Sequence, residues 1–148
     1  VVNCTTIDVY TDGTCKRNPG PAGSGIIIPL PDGRKHHIGR YLGRGTNNQV
    51  ELMAVKIALE TLLDDYQEKH IAIHTDSQLV IGWLHKDWKV NTNRMLITET
   101  KRLLPRFLFV SFVKVKGHSG NVLNEKADKL AQEAALKIAV STWPDQVV

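Results

Sequence analysis

The chain has 148 residues, 42% hydrophobic and 23% charged, a composition typical of a single globular domain and not of a disordered protein. It has no apolar run of the roughly 20 residues that a membrane span needs, and Cys4 and Cys15 allow at most one disulfide. Nineteen basic against fifteen acidic residues give a net charge of +4, which fits a nucleic-acid partner as well as it fits an ordinary basic surface. The N-terminus lacks the basic-then-apolar layout of a signal peptide, so we expect a cytoplasmic protein with no membrane partner.

The first part of the chain predicts an antiparallel run of three strands. Residues Thr6–Asp12 alternate between apolar and polar side chains, which is typical of a strand, and the pattern stops at Gly13. Residues 17–21 have the composition of a turn. Residues 25–28 and 35–42 indicate two further strands around a second turn.

The remaining elements alternate between helices and strands. Apolar spacing and β-branched runs predict helices at 48–64, 77–84, 92–104 and 122–140, and strands at 71–75 and 107–116. The order β-β-β-α-β-α-α-β-α predicts an α/β fold with a five-stranded mixed sheet, an antiparallel meander plus parallel strands, flanked by helices. We expect one domain over 1–148, with a core of about 5–140 and a C-terminal tail at 141–148.

Asp12 and Asp76 each close a predicted strand in a Thr-Asp pair. Strand alternation puts Asp12 on the face opposite Ile7 and Val9. In open α/β sheets, functional sites gather at the carboxyl ends of strands, so the two carboxylates are candidates for one site. The alternative is that each Asp only starts a turn or caps the next helix, and for Asp76 this alternative carries equal weight.

Glu51 lies on the apolar face of its predicted helix. Residues four, seven and eleven positions later share its side, and all three are apolar, namely Val55, Ala58 and Leu62. A lone carboxylate there would be desolvated at a cost of several kcal/mol unless it were paired or bound to a metal. A first-turn acid that interacts with the helix dipole is the alternative, but it does not explain the apolar face.

Asp128 and His118 are less distinctive by themselves. Asp128 shares a helix side with alanines but has charged neighbours, and alone it resembles a solvated acid. His118 lies near two glycines in a predicted loop, where a mobile proton carrier and an ordinary surface histidine are both reasonable. The other five histidines are expected to be structural or exposed.

Clustered carboxylates without histidine or cysteine partners are suited to a hard divalent cation. Mg²⁺ and Mn²⁺ prefer oxygen ligands, and Mg²⁺ retains sites that a substrate phosphate can share. Two such ions roughly 3.5–4 Å apart can activate a water and stabilise the leaving oxygen of an in-line phosphoryl displacement. The acids therefore indicate phosphodiester hydrolysis.

Six short segments in fixed order carry a family resemblance. They are 10–14 (YTDGT), 18–21 (NPGP), 46–54 (TNNQVELMA), 75–78 (TDSQ), 115–120 (VKGHSG) and 124–128 (NEKAD). Together they resemble type 1 ribonuclease H, the ribonuclease HI family, over roughly residues 5–136. A single Thr-Asp-Gly is a weak signal, but six segments in order are very specific.

The resemblance implies the ribonuclease H-like fold and a metal-dependent endonuclease. Its expected substrate is the RNA strand of an RNA–DNA hybrid, and its expected products carry 5′-phosphate and 3′-hydroxyl ends. It assigns two Mg²⁺ ions, for which Mn²⁺ can substitute, to four acids: Asp12, Glu51, Asp76 and Asp128. It assigns proton transfer or product release to His118. We expect a monomer.

The resemblance also assigns a substrate-binding set. The residues expected to face the RNA in the minor groove are Cys15, Asn18, Asn47, Asn48 and Gln78. This fits their chemistry, because the 2′-hydroxyl that distinguishes RNA from DNA both donates and accepts hydrogen bonds. Thr46 is expected to contribute to a phosphate pocket for the DNA strand, and Cys15 is expected to be a free thiol.

One departure from the family pattern concerns substrate binding. Many bacterial members carry an additional basic helix and loop after the helix that follows the third acid. Here residues 82–89 lead almost directly to Asn91, Asn93 and the next helix, so this basic extension is expected to be absent. Trp83 and Trp88 are expected either in the core or beside the DNA strand, and either asparagine could complete the phosphate pocket.

Three other functions remain as alternatives. The chain could be the ribonuclease H domain of a reverse transcriptase polyprotein, since it starts at Val1 and lacks the extension. A non-catalytic hybrid-binding module is disfavoured because all four acids and His118 are present. A related integrase, resolvase or exonuclease is disfavoured by the segments at 18–21 and 116–118.

Overall fold

The computed structural model describes residues 5–116 and 121–136. This part of the chain forms β1 (Thr6–Cys15), β2 (Gly20–Pro29), β3 (Lys35–Gly45), α1 (Asn47–Leu62), β4 (His70–Thr75), α2 (Gln78–His85), α3 (Arg94–Leu103), a 3-10 turn (Leu104–Arg106), β5 (Phe109–Lys114) and α4 (Val122–Leu136). The order of elements is the predicted one. None of the helices in these ranges combines the length and the apolar character needed to cross a membrane.

The five strands form one mixed sheet in the order β3-β2-β1-β4-β5. β1 pairs antiparallel with β2, and β2 pairs antiparallel with β3. β4 pairs parallel with β1 on one side and with β5 on the other. The predicted fold class is therefore confirmed. From the central β1, the chain adds β2 and β3 on one side of the sheet and then β4 and β5 on the other. Ligand sites in open α/β sheets occur at such a switch point between the two sides.

Several predicted boundaries differ from the structure. β1 does not stop at Gly13 but continues to Cys15, because Gly13 pairs with Ser24 and Cys15 pairs with Ala22 across the hairpin. β2 correspondingly begins at Gly20, within the turn predicted for 17–21. α3 ends at Leu103, and Pro105 lies in the 3-10 turn that follows. Pairing across the hairpin extended β1 and β2 beyond their local patterns, whereas α3 ends one residue early because Leu104 begins the 3-10 turn.

One face of the sheet packs against α1 and α2, and α3 packs on these two helices to complete the main core. Ile7 and Val9 of β1 are buried there together with Leu59 of α1, Ile73 of β4 and Trp83 of α2. The predicted alternation along β1 is confirmed, because Ile7, Val9 and Thr11 are buried while the residues between them are partly exposed. Glu51 begins the buried side of α1, which continues through Val55, Ala58 and Leu62 as predicted.

The other face of the sheet carries α4 at very short range. A Cβ added to Gly25 of β2 would overlap the carbonyl oxygen of Ala127 and lie 2.7 Å from the Ala131 nitrogen. A Cβ on Gly23 would lie 2.9 Å from the Ala134 Cβ. Glycines on the sheet and alanines on the helix therefore let the two backbones touch. This contact fixes the position of Asp128, which lies on the same helix.

The approach of α4 to β2 generates a prediction about stability. Gly25→Ala should lower the free energy of unfolding by about 1–3 kcal/mol, since the added methyl meets backbone atoms that cannot move aside. Urea unfolding followed by circular dichroism measures the change. Gly45→Ala is the matched control, because its Cβ would meet the Ala22 Cβ at an ordinary 3.5 Å. Equal effects of the two substitutions would show that the backbone contact does not limit packing.

Candidate active site

Three of the four predicted acids meet at one end of the sheet. Asp12 lies near the end of β1, Asp76 directly follows β4, and Glu51 lies near the start of α1. β1 and β4 are parallel neighbours with Tyr10 opposite His74, so the two aspartates extend from the same edge of the sheet. One carboxylate oxygen from each of Asp12, Glu51 and Asp76 lies within 4.8 Å of the other two.

Gly13 allows α1 to come close enough for this cluster to form. A Cβ at this position would lie 2.7 Å from the Val50 carbonyl carbon and 2.8 Å from the Glu51 nitrogen. The Gly13 N–H donates to Asp12 Oδ1 at 2.9 Å and to Glu51 Oε1 at 3.3 Å. One backbone amide therefore orients two carboxylates that come from different elements.

Helix caps fix where α1 and α2 begin. The Thr46 hydroxyl accepts from the Gln49 N–H, and the Gln49 side chain accepts from the Thr46 N–H, which forms a capping box. In α2 the Ser77 hydroxyl accepts from the Val80 N–H, so Ser77 is the N-cap. The alternative in which Asp76 caps this helix is therefore wrong. Its carboxylate lies in the acid cluster instead.

The fourth acid, Asp128, completes the wall of a cavity of about 180 Å³. The lining residues are Asp12, Gly13, Glu51, Asp76, Asn124, Glu125 and Asp128. Asp128 Oδ2 accepts from Gln132 Nε2 at 2.9 Å, which orients the carboxylate along α4. Asn124 and Glu125 were missed as site residues by the sequence analysis. Their spacing of four and three residues before Asp128 puts them on its side of the helix, and this was the available signal.

Like charges and burial shift the proton affinities of two acids upward. Burial is the main cause that raises the pKa of Asp12 to about 7, and the nearby Asp76 charge raises it further while a shared hydrogen bond with Glu51 acts in the opposite direction. Burial also raises the pKa of Glu51 well above its usual value, with the charges of Asp12 and Asp76 adding to the effect. The two form a coupled pair that holds a proton near neutral pH when no cation is present.

The donor set of this cavity fits a divalent cation. Glu51 Oε2 is buried and has no hydrogen-bond partner within residues 5–116 and 121–136. An unpaired buried carboxylate oxygen is costly, and a cation is one of the few groups that can compensate it. The ligands offered by Asp12, Glu51, Asp76 and Asp128 are all oxygens, which is the preference of Mg²⁺ and Mn²⁺.

Three of the predicted substrate-binding residues, Cys15, Asn18 and Asn47, make hydrogen bonds that connect neighbouring elements. The Cys15 thiol donates to the Gly45 carbonyl oxygen at 3.3 Å, and Asn18 Oδ1 accepts from the Asn47 N–H at 3.1 Å. These contacts join the end of β1, the β1–β2 turn and the start of α1. Asn48 in α1 and Gln78 at the start of α2 are exposed, while the Thr46 hydroxyl serves the helix cap.

The remaining sequence predictions have mixed outcomes. Cys15 is a free thiol, as predicted. His118 lies outside the described residues. His74 has a structural setting, because its Nε2 lies 2.9 Å from Asp8 Oδ1 and its ring stacks on Tyr10. Residues 86–93 join α2 to α3 without any further helix, which confirms that no basic extension is inserted there.

Comparison with known proteins decides the family. The sequence profile of the RNase H family matches residues 5–136 of the chain. The chain belongs to the ribonuclease H family. It is therefore a nuclease of that family, as the sequence segments predicted, and the observed fold agrees with this membership.

The chain is similar to relatives over nearly their whole length. It is 38% identical to a ribonuclease H of Novosphingobium aromaticivorans, and the match covers 88% of this chain and 96% of that protein. Among solved structures, RNase H1 of Halobacterium salinarum superposes with a TM-score of 0.77 at 35% identity, covering 88% and 97% of the two chains. LC11-RNase H1 in complex with an RNA/DNA hybrid gives 0.79 at 28% identity, covering 90% and 99%. Curated bacterial relatives of this kind disfavour the reverse transcriptase alternative.

The raised pKa values generate a prediction about pH in the absence of divalent cations. Asp12 titrates at about 7 in the folded chain against 3.8 in the unfolded chain, so between these values the folded state binds a proton that the unfolded state has released. Stability must therefore fall as the pH rises from 3.8 to about 7, and Glu51 acts in the same direction. Melting temperatures in EDTA at pH 5 and pH 8 measure the fall.

Asp12→Asn provides the comparison for this experiment. Removing the titrating group should flatten the dependence on pH and raise the melting temperature at pH 8 in EDTA. Asp32 and Asp87 do not obscure the result, because the Arg34 backbone N–H and side chain lower the pKa of Asp32, and a hydrogen bond from Lys101 lowers the pKa of Asp87. Both groups therefore titrate below the measured range. A variant that loses stability with pH as steeply as the unsubstituted chain would show that Asp12 is not the source.

Proposed function

We propose that the chain hydrolyses the RNA strand of RNA–DNA hybrids by two-metal-ion catalysis and leaves 5′-phosphate and 3′-hydroxyl ends. The observation that carries the proposal is the meeting of Asp12, Glu51 and Asp76 within 4.8 Å, in a cavity that Asp128 also lines. The similarity to a ribonuclease H1 crystallised with an RNA/DNA hybrid supports this choice of substrate.

The four carboxylates share one role in this proposal, which is to hold the metal ions. Asp12, Glu51, Asp76 and Asp128 hold two Mg²⁺ ions, or Mn²⁺ in their place, which when bound supply a nucleophile at neutral pH and stabilise the leaving oxygen. The Gly13 N–H holds Asp12 and Glu51 in position through its two hydrogen bonds. Binding of cations displaces the proton that this pair retains, so the acids act fully ionised.

Recognition of RNA is assigned to the surface around Cys15, Asn18 and Asn47. Asn18 Oδ1 accepts from the Asn47 N–H, the Cys15 thiol donates to the Gly45 carbonyl oxygen, and Asn48 and Gln78 are exposed on the starts of α1 and α2. Side chains that both donate and accept can bind a 2′-hydroxyl, which only the RNA strand carries. Thr46 is assigned to a phosphate of the DNA strand.

Other parts of the proposal rest on the sequence. We assign assistance in proton transfer or product release to His118, on the basis of its loop segment. The monomeric state, the cytoplasmic location and the domain limits of 1–148 stay predictions. The similarity to curated bacterial ribonucleases H disfavours the reverse transcriptase alternative.

The metal-binding role of the acids is tested by charge-neutralising substitutions. Asp12→Asn, Glu51→Gln and Asp76→Asn should each reduce Mg²⁺-dependent cleavage of a labelled hybrid to background while circular dichroism shows an intact fold. The reason is that each substitution removes one of the few anionic ligands of the cluster. Asp64→Asn, an exposed acid after α1, is the matched control and should retain full activity. Near-normal cleavage by the Asp12 variant would contradict the assignment, and cleavage of duplex DNA or RNA as fast as hybrid would contradict the substrate.

The absence of a basic extension predicts a shallow dependence of hybrid affinity on salt. Without it, phosphate contacts must come from scattered residues, among them Lys16, Arg17, Lys86, Lys89 and Lys116. The logarithmic slope of affinity against salt follows the number of phosphates neutralised, with a coefficient of about 0.9 per phosphate for duplex DNA. Titrations with the Asp12→Asn variant in EDTA should therefore give a smaller slope than an extension-bearing relative gives.

Single substitutions localise these contacts. Lys86→Ala and Lys89→Ala, between α2 and α3, should each reduce the slope by about one. Lys69→Ala is the control, because Lys69 precedes β4 and thus lies at the sheet edge opposite the acids. A slope as steep as that of the relative would show that other residues replace the extension. Selectivity for hybrid over duplex DNA should persist in all these variants.

A further inference from the structure

Asn124 is a cavity residue that the proposal of four metal-binding carboxylates leaves without a role. It lies in the first turn of α4, is only 8% exposed, and lines the same cavity as Asp12, Asp76 and Asp128. Its Oδ1 is buried and has no hydrogen-bond partner within residues 5–116 and 121–136. Leaving a buried amide oxygen unpaired is unfavourable, so a purely structural asparagine at this position would be expected to have a partner.

Helix capping does not account for this side chain. The α4 backbone is capped by Asn121, whose Oδ1 accepts from the Asn124 N–H at 3.0 Å. In α1 the residue at the equivalent third helical position, Gln49, turns its side chain back to the Thr46 N–H. Asn124 makes no such return contact, and its oxygen remains unpaired in the cavity wall.

We propose that the Asn124 carboxamide oxygen contributes to binding a divalent cation at the acid cluster. The inference rests on the proposed metal-dependent function and adds a neutral oxygen to its four carboxylates. Asn124 is one helical turn before Asp128, so both residues present oxygens to the cavity from the same side of α4. A carbonyl oxygen is a good ligand for a hard cation and brings no additional charge to a cluster that is already crowded with anions.

The test compares Asn124→Leu with Asn124→Asp in two measurements. The first is the melting temperature in EDTA, and the second is the dissociation constant for MgCl₂, obtained from the Mg²⁺-dependent rise of the melting temperature. Leucine fills a similar volume without polar atoms, so Asn124→Leu should melt in EDTA no lower than the unsubstituted chain. Its Mg²⁺ dissociation constant should rise about 10-fold or more, the loss typical when a group supporting a metal site is removed.

Asn124→Asp should restore Mg²⁺ binding to the unsubstituted level or better, because it again provides an oxygen. Thr100→Val is the matched control. It removes a buried hydroxyl that donates to the Leu96 carbonyl oxygen in α3, away from the cavity, and it should leave the Mg²⁺ constant unchanged.

Two results would overturn the inference. An unchanged Mg²⁺ constant in Asn124→Leu would show that the oxygen does not serve the cation. A raised constant with a lower melting temperature in EDTA and no rescue by Asn124→Asp would show that the amide supports packing. Asp12→Asn, measured in parallel, separates this failure from failure of the proposed function: if Asp12→Asn keeps full Mg²⁺ affinity, the metal centre itself is wrong.

Discussion

The mutual proximity of Asp12, Glu51 and Asp76 is the arrangement that the fold has to maintain against electrostatic repulsion. Three carboxylates with oxygens within 4.8 Å of one another repel when ionised, and burial adds a desolvation cost. The fold holds them in place because each is attached to a different element of a rigid sheet and helix core. In the proposed function the same repulsion favours cation binding, because a divalent cation would offset the charges that destabilise the cluster.

Small residues are what allow the elements to converge so closely. Gly13 lets α1 touch β1, and Gly25 lets α4 touch β2 through Ala127 and Ala131. Without these contacts, Glu51 and Asp128 would stand farther from the strand that carries Asp12. The close backbone packing therefore also positions the acids. Gly13 follows Asp12 in sequence, and Gly25 is paired with Asp12 across β1 and β2.

The two sides of the site are built differently. The acids are fixed by buried elements and by a backbone amide, whereas the residues assigned to RNA are placed on a turn and on helix starts, where side chains such as Asn48 remain exposed. A substrate with two different strands requires this combination: a rigid site for the scissile phosphate and accessible polar groups for the 2′-hydroxyls. Because the connection between α2 and α3 is short, the proposal assigns phosphate binding to individual basic side chains.

Much of this protein follows from local sequence patterns. Alternation along β1 and the helical period of α1 are local properties, so they predicted both elements and the inward side of Glu51. Ordered segments predicted the family. Ends of elements were predicted less well, since the extension of β1 to Cys15 depends on pairing with Ala22, which lies across a turn.

Only the tertiary structure decided which polar groups share the cavity and how burial and neighbouring charges shift their pKa values. The sequence left Asp76 open between a helix cap and a site residue, and the fold excluded the cap because Ser77 takes that position. The spacing of Asn124 and Glu125 from Asp128 placed them on its side of α4, but the burial of Asn124 and its lack of a partner depend on neighbours that only the fold brings together. The raised pKa of Asp12 likewise exists only in the fold, because desolvation and the charge of Asp76 arise when distant segments meet.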